Sequence, residues 1–194
     1  MDYKPNNALL PAGLSDLLPE EALKESQIKN ILLDVFNSFG YLLVKPPLIE
    51  FEESMFSDSG KTLEHTMFRV IDPLSKYTLC IRSDITIQIA RIASTRLSNA
   101  ARPLRLSYSG EVLRVKPTTL NMHRQITQVG AEIIGKVNDE LESEIILIAL
   151  NVLSALKIKN LSIDLNYPNL KSFFLNSFSK KMLHQVEEAI VRKD

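Results

Sequence analysis

Gln128 and Glu132 stand four residues apart in a β-leaning run that begins near Arg124, with Gly130 between them. Alternate side chains of a strand share a face, so Arg124, Ile126, Gln128, Gly130, Glu132 and Ile134 are expected to point one way. The amide and the carboxylate would then lie roughly 13 Å apart, at about 3.3 Å per residue. Glycine is expected to leave open space between them. An amide, a gap and a carboxylate on one face make a floor for a small cationic ligand. The carboxylate can pair with an ammonium, and the amide both donates and accepts. The competing reading is a solvated sheet face with no ligand at all.

Few other residues invite chemistry. Cys80 sits in an apolar, strand-like run and reads as a small core residue rather than a nucleophile. A single cysteine cannot build a disulfide framework. His65 reads as a solvated loop histidine and His184 as a helix-surface one. Neither belongs to a ligand cluster, so no metal and no cofactor are expected. The 23 basic and 23 acidic residues cancel. A nucleic-acid binder usually carries a basic excess, so a nucleic-acid partner is not expected. No apolar run reaches the roughly 18 residues of a membrane span. Residues 1–12 lack the basic start and apolar run of a signal peptide. With 194 residues, 45 % of them hydrophobic, the expectation is one soluble, cytoplasmic domain with its own core.

The run that carries Gln128 and Glu132 needs a partner strand. A first run ending at Val115 and a polar, proline-containing loop make it the second arm of a hairpin. Upstream, Pro19 opens a helix, where its absent N–H costs nothing. Its apolar stripe is Ile28, Ile31, Leu32, Val35, Phe36 and Phe39, and Gly40 stops it. Tyr41 to Val44 reads as a strand. Pro46 and Pro47 then mark an edge, a bend or a contact with another chain. Met67–Val70 and Tyr77–Ile81 read as strands around a turn at residues 72–76. After Arg82, a helix begins with Ser83 or Asp84 as its cap. Ile85, Ile89, Ile92 and Ala93 would be its buried stripe, with Arg91 and Arg96 outside. Arg102 to Tyr108 is a further strand. A long helix follows over residues 138–156, capped by Asn138 or Asp139. Leu141, Ile145, Ile148, Ala149, Val152 and Leu156 would face the core, and Glu140, Glu142 and Glu144 the solvent. Leu161–Leu165 alternates like a strand, and the chain from Pro168 reads as helical. An antiparallel sheet carrying helices, an α+β domain, is the simplest architecture.

The segment from Gly110 to Gly135, GEVLRVKPTTLNMHRQITQVGAEIIG, resembles motif 2 of the class II aminoacyl-tRNA synthetases. More specifically, it resembles histidyl-tRNA synthetase and its non-synthetase relative, the regulatory subunit of ATP phosphoribosyltransferase. Residues 10–19 resemble the opening of that family. Phe39-Gly40-Tyr41 through Pro46-Pro47 and Glu50-Phe51-Glu52 resembles motif 1, which implies a homodimer. Arg82-Ser83-Asp84-Ile85-Thr86 resembles the synthetase R-P-E-G-T segment in the aspartate form of the regulatory subunit, and residues 102–110 also lean that way. The resemblance spans nearly all of the chain. It implies a class II fold that is incomplete, because motif 3 would lie beyond Asp194. The family's regulatory subunit is longer than 194 residues, so an open sheet edge is expected: either a second polypeptide or a dimer covers it, or the chain is a fragment.

Departures separate the two relatives. Arg114 falls on the motif 2 arginine that holds the α-phosphate of ATP in a synthetase. One residue later the synthetase carries a Glu-Arg pair, where this chain has Lys116 and Pro117. An acceptor has become a cation, and a cation has become an imino acid. The resemblance therefore implies a non-catalytic regulatory subunit. Its partner would be the short-form ATP phosphoribosyltransferase catalytic subunit and its ligand L-histidine. Asp84, Thr86, Arg114, Gln128 and Glu132 would be the histidine-binding residues, with Asp84 and Thr86 at the α-amino group. The alternative is a histidine-adenylating enzyme or a fragment of one.

Overall fold

The computed structural model describes residues 10–55, 65–117, 122–136 and 138–164. The chain divides into two compact units, residues 1–158 and 159–194, and only residues 159–164 of the second are described. The first unit runs α1 (Pro19–Ser38), β1 (Leu42–Leu43), β2 (Ile49–Phe51), α2 (Glu52–Met55), β3 (Phe68–Ile71) and β4 (Thr78–Ile81). It continues with α3 (Thr86–Ser94), β5 (Leu104–Leu113), β6 (Gln125–Ile134) and α4 (Asp139–Ala155).

The hairpin dominates. β5 and β6 pair over ten residues each, setting Gly110 opposite Gln128, Tyr108 opposite Gly130 and Leu106 opposite Glu132. The first arm is longer than the sequence suggested, since the strand expected at residues 102–108 and the arm ending near Val115 are one continuous strand. β1 adds to β5 in parallel, giving the order β1-β5-β6, so this sheet is mixed rather than purely antiparallel. A second sheet, β2-β4-β3, is antiparallel throughout. The Leu113 N–H donates to the Arg82 carbonyl at 2.9 Å and ties the end of β5 to the end of β4.

Each face of the hairpin sheet has its own cover. Ile85 and Ile89, at and within the start of α3, pack with Leu106, Tyr108 and Val112 on one face. Phe36 of α1, Tyr41 and Ile148 of α4 pack against Val129, Ala131 and Ile133 on the other. The stripe expected along α1 holds only toward its C-terminal end, because Leu32, Leu33, Phe36 and Phe39 supply the contact and Ile28 and Ile31 remain exposed. Gly40 ends α1 at φ +80°, a backbone shape that favours glycine. Its N–H donates to Asn37 at 2.9 Å and that of Tyr41 to Phe36 at 3.0 Å, a Schellman closure. Asn138 caps α4 by accepting from the Leu141 N–H at 3.0 Å. Cys80 is fully buried with Met55 and Met67. Residues 161–164 adopt no strand. The helix expected from Pro168, with His184, lies outside the described residues.

Glu144 is not solvated. Arg105 grips it through Nε to Oε1 at 2.8 Å and Nη2 to Oε2 at 2.7 Å, while the Tyr41 hydroxyl donates to Oε1 at 3.1 Å. The first turns of an exposed acidic helix hid this, because the partner comes from β5. The Arg105 hydrogen bond holds the Glu144 carboxyl below its usual range, and burial pushes the Tyr41 hydroxyl far up. A depressed carboxylate contributes stability that is present above its unfolded value, about 4.3, and lost as pH falls through the folded one. Glu144→Gln is therefore expected to lower stability by about 1 kcal/mol at pH 7, a modest figure because the pair is partly solvated. Urea melts across a pH series check this. The gap between variant and wild type should close as pH falls below the usual carboxylate range, and a gap that persists there would refute the ion pair's role.

Candidate functional site

Four of the five residues singled out by the sequence converge where α3 begins above the hairpin sheet. Helix starts leave backbone N–H groups without partners. Here the Asp84 Oδ1 accepts from the Thr86 N–H at 2.7 Å, and the Gln128 Oε1 accepts from the Ile85 N–H at 2.9 Å. The amide of Gln128 turns its Nε2 back to Asp84 Oδ2 at 3.3 Å. One strand and one helix start are thus stitched through side chains, and Asp84 does the capping expected of it.

Glu132 is held from the other side. The Thr86 hydroxyl donates to its Oε1 at 3.1 Å, and the Tyr108 hydroxyl reaches the same oxygen at 3.2 Å. Thr86 Oγ1 and Tyr108 Oη are themselves 3.2 Å apart. Among the described residues no donor reaches Oε2. The open space expected at Gly130 is not open. A Cβ there would stand 2.4 Å from the Tyr108 hydroxyl oxygen, because the phenol from the opposite strand lies across the glycine. Glycine is required for that close approach. Tyr108 is only 3 % exposed, and burial pushes its hydroxyl up to about 12, so it remains a neutral donor.

The electrostatics follow from the partners. Among the described residues, no lysine or arginine comes within ion-pairing distance of Asp84 or Glu132. Two carboxylates on a half-buried floor, without a cation, favour a ligand that brings positive charge, and partial burial strengthens that attraction. Thr86 is exposed at the rim. Arg114 stands apart. Its backbone pairs with Arg124 at 2.7 Å, four register steps beyond the Gly110–Gln128 pair. The structure brings its guanidinium into no hydrogen bond with Asp84, Thr86, Gln128 or Glu132. Among the described residues there is no group of three or more His, Cys, Asp or Glu side chains placed to hold a metal.

A buried arginine supports the floor. Arg82, 5 % exposed, donates through Nε to the Glu111 carbonyl at 2.7 Å. Its Nη1 reaches the carbonyls of Pro46 at 3.0 Å and Pro47 at 3.3 Å, and the Gln88 Oε1 at 3.3 Å. Gln88 in turn donates to the Pro47 carbonyl and to Glu50, both at 2.8 Å. The carbonyls of the adjacent prolines are therefore read by Arg82, two residues before Asp84, and by Gln88, three residues after Ile85. Arg91, expected to face outward, pairs with Glu50 through Nε at 2.8 Å. Sequence reasoning missed both Tyr108 and Arg82. Tyr108 carried a signal: counting the arms inward from an Arg114–Arg124 closing pair sets this aromatic opposite Gly130, the arrangement in which a ring covers a strand glycine.

The family model described as histidyl-tRNA synthetase matches residues 13–194. The ATP phosphoribosyltransferase regulatory subunit of Rhodospirillum centenum is 45 % identical over 192 residues, covering 98 % of this chain and 50 % of that protein. The protein of the same name from Paramagnetospirillum magneticum is 45 % identical over 170 residues, covering 88 % and 45 %. The chain thus spans about half the length of the curated relatives it matches. Among solved structures, one from Bacillus halodurans, described as an ATP phosphoribosyltransferase regulatory subunit/histidyl-tRNA synthetase, superposes with a TM-score of 0.76 at 26 % identity. It covers 98 % of this chain and 50 % of that one. The histidyl-tRNA synthetase of Nostoc shares the fold at a TM-score of 0.77 and 18 % identity, covering 95 % and 43 %.

Proposed function

The chain belongs to the histidyl-tRNA synthetase family, and from that premise we propose that it acts as the regulatory subunit of an ATP phosphoribosyltransferase. That enzyme joins ATP to phosphoribosyl pyrophosphate in the first step of histidine biosynthesis. In this reading the chain has no chemistry of its own. It activates the short-form catalytic subunit in the cytoplasm and lets L-histidine feed back on it. Asp84 and Thr86 take the α-amino group, Gln128 and Glu132 line the side-chain pocket, and Arg114 offers a cation to the ligand carboxylate.

What carries this reading is the uneven state of the site. The amino-acid half is assembled around two carboxylates that no cation among the described residues compensates, whereas Lys116 and Pro117 stand where a synthetase would place its polar contacts to ATP. The names of relatives at 45 % identity point the same way. Regulation then requires that the complex has two states which bind histidine differently. A homodimer through residues 39–52 fits the exposure of Leu42, Leu43, Leu48, Ile49 and Phe51 in that stretch, and a monomer in sedimentation at micromolar concentration would rule it out.

Titration calorimetry of the chain with L-histidine, with and without the short-form catalytic subunit, tests the proposal. Binding that appears or tightens with the partner is expected. The retained Arg114 favours one rival, an enzyme that adenylates histidine. Pyrophosphate exchange with histidine and ATP separates the two, and robust exchange would overturn the regulatory reading.

A further inference from the structure

We propose that Tyr108 is a positioning residue of the ligand site, acting through Glu132, and that Gly130 exists to admit it. The inference rests on the histidine reading above. Glu132 springs from a strand face with three rotatable bonds, and an unrestrained glutamate loses rotamer freedom when a ligand fixes it. Here the fixing is done in advance. Thr86 Oγ1, Tyr108 Oη and Glu132 Oε1 form a triangle with sides of 3.1, 3.2 and 3.2 Å. Each hydroxyl carries one proton, and the carboxylate carries none. Both protons therefore serve Oε1, directly or through the other hydroxyl. Oε1 is saturated, and Oε2 is presented to the ligand.

The two carboxylates then divide the labour by chemistry. Asp84, beside the exposed Thr86 at the helix start, meets the ammonium. The Oε2 of Glu132 meets the second donor that histidine carries, an imidazole N–H. Tyr108 holds that oxygen at a fixed height above the sheet, because its phenol lies across Gly130 and cannot sink further. Thr86 alone cannot do the same, since it stands on the exposed rim. The ring of Tyr108 also packs with Ile85, Ile89, Leu106 and Val112, so packing and positioning have to be separated.

Tyr108→Phe separates them, because it keeps the ring and deletes the hydroxyl. L-histidine affinity is expected to fall about tenfold, the loss of one hydrogen bond to a charged group. Affinity for β-(2-thienyl)alanine, which has a five-membered ring without an N–H, should not change. The preference for histidine over this analogue is the readout that a packing role would leave alone. Gly130→Ala is expected to reproduce the loss of histidine affinity by pushing the phenol aside. Unchanged histidine affinity in Tyr108→Phe, or an equal loss for both ligands, would overturn the inference. Failure of the wild-type chain to bind histidine would instead defeat the histidine reading itself, and this inference with it.

Discussion

Glu132→Gln is expected to weaken L-histidine binding about thirtyfold or more, the equivalent of at least about 2 kcal/mol. The amide keeps the shape of the side chain and can still accept from Thr86 and Tyr108, so the fold around it should survive. What it removes is charge. Glu132 has no cation of its own among the described residues, and its Oε1 is already occupied by the Thr86 and Tyr108 hydroxyls. A partly buried carboxylate in that state gains most when a ligand supplies the missing positive partner, and a neutral amide forfeits that gain. Calorimetry on the variant, with urea melts as a control for folding, makes the comparison. Unchanged affinity would remove Glu132 from the site. Asp84→Asn should lower affinity too, but with some loss of stability, because its Oδ1 also caps α3.

Arg82→Ala is expected to be the most damaging single change to the fold, at about 3–5 kcal/mol. The carbonyls of Pro46, Pro47 and Glu111 would lose a charged donor in a buried place. Burial also draws Arg82 below its ordinary value, a sign of how little water reaches it. Gly110 is the other half of this arrangement. A Cβ at Gly110 would lie 2.2 Å from Arg82 Nη2, and the guanidinium cannot retreat while Nε and Nη1 are bound. Gly110→Ala should cost about 1–3 kcal/mol by overpacking. The double variant should cost less than the sum, because removing Arg82 also removes the clash. Urea midpoints of the three proteins measure this, and strictly additive losses would contradict the contact.

The sequence made part of this site readable and hid the rest for identifiable reasons. Strand alternation put Gln128, Gly130 and Glu132 on one face, since period two is a local property of the chain. A helix start after Arg82 made Ser83 or Asp84 its cap for the same local reason, and Asp84 takes that role. Tyr108 and the filled space over Gly130 depend on cross-strand register, which only pairing of two distant runs reveals. Arg82 satisfies carbonyls of Pro46, Pro47 and Glu111, backbone groups that carry no sequence signature. Glu144 looked like one of three solvated acids because its partners, Arg105 and Tyr41, lie on other elements. The two-residue strand β1 could not announce its parallel pairing, because so short a run has no period of its own. Motif resemblance supplied what the local patterns lacked: the class II fold, and the choice between a synthetase and a regulatory relative at Lys116 and Pro117.

One assay reaches the centre of this account. ATP phosphoribosyltransferase turnover by the short-form catalytic subunit is measured alone, with this chain, and with this chain plus L-histidine. Stimulation by the chain, reversed by histidine in the wild type but not in Glu132→Gln, is the predicted result. A catalytic subunit indifferent to the chain, with or without histidine, would contradict it.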